Sequence, residues 1–122
     1  MRIFFAFVLV LNMVACSTRS LEKIPDCSEI NNWASNMAFV HLKNAGVTSN
    51  ESLDFRKTQV TLIVSEKIGN DLFRQMHLVN FYEKAGTAFE VITINDASSE
   101  ECSMSGVEVF LIERRFGDDL LK

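Results

Sequence analysis

From Lys57 onward, apolar residues recur at every second position in short runs broken by turn-forming residues. This pattern narrows the possible folds more than any other feature of the chain. Val60, Leu62 and Val64 alternate with Thr61, Ile63 and Ser65 between Lys57 and Glu66, and further β-rich runs follow over residues 72–83, 87–96 and 106–115. Gly69-Asn70 and Lys84-Ala85-Gly86 separate the first three runs, and both are hairpin signals. A longer acidic, serine-bearing loop, Ala97 to Ser105, precedes the last run. Connections this short join neighbouring antiparallel strands, so the expected sheet is a four-stranded meander.

The turns also set a register. A three-residue turn at 84–86 places Glu83 opposite Thr87, Phe81 opposite Phe89, Val79 opposite Val91 and His77 opposite Thr93. On the other face it sets Leu78 against Ile92, Met76 against Ile94 and Arg74 against Asp96, the last pair opposite in charge. One face then carries Val60, Leu62, Val64, Phe73, Val79, Phe81, Phe89 and Val91 and is expected to receive a helix. The second carries Ile63, Leu72, Met76, Leu78, Ile92 and Ile94, rimmed by Arg74, Glu90 and Asp96. An apolar patch ringed by charge is the kind of surface that a protein partner or a second copy of the chain covers, which makes this face the candidate interface. The competing expectation is that the last strand and tail, with Phe110, Ile112 and Phe116, curl across it.

Upstream the spacing is helical. Ile30, Trp33, Ala34, Met37, Ala38 and His41 share one stripe, Asp26 stands as an N-cap with Glu29 in the capping-box relation, and Asn44-Ala45-Gly46 supplies a stop. These signals predict a helix over about residues 27–45, and Val47 to Arg56 reads as a surface connection. One N-terminal helix packed on a four-stranded antiparallel meander is an α+β architecture, expected as a single domain over residues 26–116 with a tail at 117–122. In element order alone it resembles the cystatin-like arrangement, a helix cradled by an antiparallel sheet. The inhibitory Gln-x-Val-x-Gly motif of cystatins is absent, since neither Gln59-Val60 nor Gln75-Met76 is followed by the required residues.

The N-terminus carries an address. Arg2 precedes the apolar run Ile3 to Leu11, which is far shorter than the roughly 20 residues of a membrane-spanning helix, so the stretch reads as an export signal. Its end, Met13-Val14-Ala15-Cys16, resembles the lipobox of bacterial lipoproteins, with Met where Leu is commoner. The resemblance covers only the first sixteen or so residues. It implies removal of residues 1–15, lipid on Cys16 and a tether over 16–25. With Ser17 rather than Asp next, it also implies a place on the outer membrane facing the periplasm. Two or more acyl chains give stable anchoring where one gives marginal binding. The alternative is an ordinary signal cleaved nearby, with Cys16 lost or free.

Under the lipoprotein reading Cys16 takes the lipid, and Cys27 and Cys102 remain to pair in an oxidising compartment. A metal site built from these two thiolates with His41 and His77 is the alternative, although the spacing fits no recognised zinc pattern, and no cofactor is expected. Without Arg2 the chain carries 11 basic and 16 acidic side chains, a net of −5. That balance argues against nucleic acid and favours a cationic protein partner. Ser103-Met104-Ser105-Gly106 lacks the leading Gly of a nucleophile elbow, and Asp96, Glu100 and Glu101 lack EF-hand spacing. Glu100 and Glu101 join the candidate interface through the loop that Cys102 would tie down. The expected function is a lipid-anchored, non-catalytic binding module of the cell envelope. An inhibitor or immunity-type lipoprotein acting on a cationic enzyme or toxin is the alternative, and an enzyme using His41 and His77 is a more distant one.

Overall fold

The computed structural model describes residues 22–113. The expectations on the signal, on Cys16 with the start of the tether, and on the tail with Phe116 lie outside the described residues. A helix α1 (Trp33–Asn44) is followed by a short 3-10 turn (Phe55–Lys57) and the strands β1 (Gln59–Gly69), β2 (Leu72–Tyr82), β3 (Ala88–Ala97) and β4 (Glu108–Ile112). The strands form one open antiparallel sheet in the order β1-β2-β3-β4, so the fold is α+β as the periodicity predicts.

Between β2 and β3 the register is the one set by the three-residue turn. Phe81 pairs with Phe89, Val79 with Val91, His77 with Thr93, Leu78 with Ile92, Met76 with Ile94 and Arg74 with Asp96. Glu83 N–H donates to the Thr87 carbonyl at 2.7 Å, and Gly86 takes φ +101°, a conformation that a residue with a Cβ rarely adopts.

The first hairpin differs. The turn is Asn70-Asp71, with Gly69 already paired to Leu72 and Asp71 at φ +48°, which Asp tolerates better than most residues. Two register breaks, between Leu62 and Val64 and between Lys67 and Gly69, absorb the difference. Val60 and Leu62 therefore stay on the expected helix-facing side, opposite Val79 and His77. Val64 does not. The extra residue at the first break turns it to the opposite face, against Met76, where it is 49 % exposed.

The helix begins later than its sequence signals suggest. Asn32 is the N-cap, its side-chain oxygen accepting from Trp33 N–H at 2.7 Å, whereas the Asp26 carboxylate accepts from Ser28 N–H in a local turn. Cys27 is engaged elsewhere by its disulfide, and residues 22–28 carry no helix. The buried stripe is Ala34, Ser35, Ala38 and Leu42, one position round from the expected one, so His41 is exposed while Trp33 and Met37 are half-buried. The C-terminal stop forms as expected, with Gly46 at φ +73°.

Ala38 and Leu42 pack on Val79, Phe81 and Val91 of the helix-facing sheet surface. Full burial of such a side chain is worth ~1.5–3 kcal/mol, so this cluster is the main favourable contribution of the core. Leu53 joins the cluster and Phe55 packs against it, which corrects the reading of residues 47–56 as a surface connection. The helix lies nearest β3 and β4, and these two side chains cover the part of the apolar surface that it leaves. Phe39, Phe55 and Phe81 meet there with ring centroids 5.4–6.5 Å apart, in the range of favourable aromatic pairs.

Candidate functional site on the open face of the sheet

The face of the sheet turned away from α1 collects most of the residues singled out from the sequence. Alternation along β2 and β3 puts Arg74, Met76 and Leu78 beside Asp96, Ile94, Ile92 and Glu90 on this side. The strand β4 pairs in plane with β3, Ile92 against Phe110 and Glu90 against Ile112. Phe110 and Ile112 thus widen the apolar face rather than curl across it, which overturns that expectation for both. Phe110 is 50 % exposed and Ile63, in the break of β1, is 47 % exposed. With Val64 turned outward as well, the apolar surface runs across all four strands.

One end of this face is acidic. The Arg74 guanidinium forms a fork on Asp96, Nε to Oδ1 at 2.9 Å and Nη2 to Oδ2 at 3.3 Å. The hydrogen bonds to Asp96 and its charge, with smaller contributions from Glu108 and Glu66, raise the guanidinium pKa above its ordinary value. A single cation therefore stands among three carboxylates, which leaves net negative charge beside an apolar surface. A notch of about 630 Å³ opens here between Arg74, Ile94, Asp96, Ser105 and Glu108.

Glu100 and Glu101 lie off the face, exposed in the loop that follows β3 at the same end. That loop is firmly held. Cys102 is bonded to Cys27, with Cα atoms 5.8 Å apart, so the expected disulfide is present and these sulfurs are not free thiolates for a metal. Trp33 Nε1 donates to the Ser105 carbonyl at 2.9 Å, Asn95 Nδ2 to the Cys102 carbonyl at 2.8 Å, and Asp96 N–H to Ser105 Oγ at 2.8 Å. Ser99 Oγ donates to the Asp71 carboxylate at 2.8 Å, joining the loop to the first hairpin turn. Among the described residues no group of three or more His, Cys, Asp and Glu side chains is placed to hold a metal.

The opposite face contains a feature that the sequence reading missed. Gln75 and His77 of β2 stand opposite Asn95 and Thr93 of β3, and these four polar side chains are at most 2 % exposed. Gln75 Nε2 donates to the Pro25 carbonyl at 2.8 Å. Gln75 Oε1, both ring nitrogens of His77, Thr93 Oγ1 and Asn95 Oδ1 have no hydrogen-bond partner among the described residues. Burial lowers the His77 pKa, with the charge of Asp26 acting in the opposite sense. The signal was available, because the register that pairs His77 with Thr93 also pairs Gln75 with Asn95 on the helix-facing side. His41, by contrast, is exposed beside β4, so the two histidines occupy different environments.

No family model matches the chain, and neither a curated protein nor a solved structure is significantly similar to it. Among the described residues no helix is long and apolar enough to cross a membrane.

Proposed function

We propose that this chain is a non-catalytic binding module of the cell envelope, held to the membrane by lipid on Cys16, that engages a cationic protein through the open face of its sheet. The lipobox-like Met13-Val14-Ala15-Cys16 supports the anchor. The observation that carries the binding reading is the apolar surface across Val64, Met76, Leu78, Ile92, Ile94 and Phe110, bordered by Asp96, Glu66 and Glu108 around one arginine. Apolar contact would supply affinity and the carboxylates would select for positive charge. An inhibitor or immunity-type lipoprotein directed at a cationic enzyme or toxin is a special case of this reading, in keeping with the net charge of −5 over residues 16–122. The helix followed by a meander is also in keeping with a cystatin-like domain.

Photo-crosslinking in intact cells from a probe at position 78 tests the proposal. It should capture one basic envelope protein, and Ile92→Lys should abolish capture while leaving the disulfide and the circular dichroism spectrum unchanged. Capture of acidic or assorted proteins with equal efficiency would refute it, as would capture insensitive to Ile92→Lys.

A further inference from the structure

The two edges of the sheet are built differently. Among the described residues β1 and β4 are the outer strands. β1 has the features that prevent edge-to-edge pairing: two register breaks, charged Glu66 and Lys67, and an ion pair from Lys67 to Glu22 in the segment that enters the domain. Among the described residues β4 has neither a register break nor such an ion pair. Its sequence, Glu-Val-Phe-Leu-Ile, is regular in pairing, free of Pro and Lys, and carries one charge at its first position. Beside it, between the C-terminal half of α1 and the strand, runs a groove of about 630 Å³ lined by His41, Leu42, Ala45, Val47, Val109 and Leu111.

We propose that β4 pairs antiparallel with β4 of a second copy of this chain, joining two sheets into one of eight strands. The strand is complementary to itself. With the two-fold axis through Phe110, its midpoint, all five residues overlap: Phe110 meets Phe110 of the second copy, and Val109 meets Leu111 in both directions. Residues directly opposite share a face, so the two phenylalanines form an aromatic cross-strand pair on the open side, and the Val109 and Leu111 side chains drop into the grooves. Each Glu108 falls opposite Ile112, and no like charges are brought together.

The helices permit this approach. Because α1 lies nearer β3 than β4, the spacing between the two copies of β3 decides whether the helices collide. Three strand spacings of ~4.8 Å give about 14 Å, more than the 8–10 Å of closely packed helices. Phe110 belongs to both surfaces, but the pairing uses the edge of the open face rather than its centre, and a dimer insensitive to Leu78→Lys separates it from the function proposed above.

The decisive experiment uses the full chain carrying Phe110→Cys, oxidised with copper phenanthroline and run on a non-reducing gel. A cysteine on the axis meets only its own copy, within the Cα separation that a disulfide needs, so at least half of the chain should become covalent dimer. Met104→Cys, exposed but off the axis, should give under a tenth of that yield. Adding Leu111→Lys to Phe110→Cys should remove the dimer, whereas adding Leu78→Lys should leave it intact. Since both copies are acidic, the yield should rise with salt. Equal yields from Phe110→Cys and Met104→Cys would overturn the proposal. So would a Phe110 crosslink to some other chain, or a dimer that weakens with salt, the mark of a basic peptide on the edge.

Discussion

Acidification should destabilise this fold through His77, and the size of the effect follows from its burial. The imidazole is fully buried with neither nitrogen hydrogen-bonded among the described residues, and its pKa is held below the ordinary value. A histidine whose folded pKa is depressed binds its proton more readily in the unfolded chain. Stability is therefore complete above the unfolded pKa of ~6.5 and declines as pH falls below it, by at most ~1.4 kcal/mol per unit. Between pH 8 and pH 5 the loss is bounded at about 2 kcal/mol, which is still a large share of the ~5–15 kcal/mol typical of a domain. At an m-value of ~1–3 kcal/mol/M, that bound corresponds to a drop of roughly 0.7–2 M in the urea midpoint. The comparison that isolates His77 is equilibrium urea unfolding of wild type and His77→Leu at both pH values. Leucine removes two unpaired polar atoms and should leave stability at pH 8 unchanged or improved. The variant should lose less than wild type on acidification, by up to about 2 kcal/mol. Equal losses in wild type and His77→Leu would refute the reasoning.

Replacing Cys27 and Cys102 together by Ser should cost about 4.5 kcal/mol in the chain-entropy model for their separation of 75 residues, read as a lower urea midpoint in the variant. Asn32→Ala should cost ~0.5–2 kcal/mol as a lost helix cap, and Asp26→Ala much less, since Asp26 lies outside the helix; thermal melts of the two variants decide which residue caps α1.

The sheet was legible because alternation and turn chemistry act locally. Lys84-Ala85-Gly86 determines one register, and seven cross-strand relations follow from it without further information. The first hairpin was less legible, since a bulge leaves no mark in alternation when apolar residues occupy consecutive positions, as Leu62, Ile63 and Val64 do. Only tertiary packing reveals that Val64 faces outward. The helix start was misplaced because Asp26 and Asn32 are both good caps, and the disulfide at Cys27 decides between them. Leu53 and Phe55 read as loop residues because their burial depends on where α1 lies over the sheet. The open face was recognised through Arg74 and Asp96. The buried polar quartet was overlooked, although it needed only the register already in hand.

The sulfur bridge divides the described chain into a closed ring and what hangs from it. The helix and the first three strands all lie between Cys27 and Cys102 and form one covalent circuit, whereas β4 begins at Glu108, beyond the knot. It is secured to the domain by its ladder with β3 and by side-chain packing, with no crosslink. In an oxidised molecule this strand can therefore open without breaking the circuit.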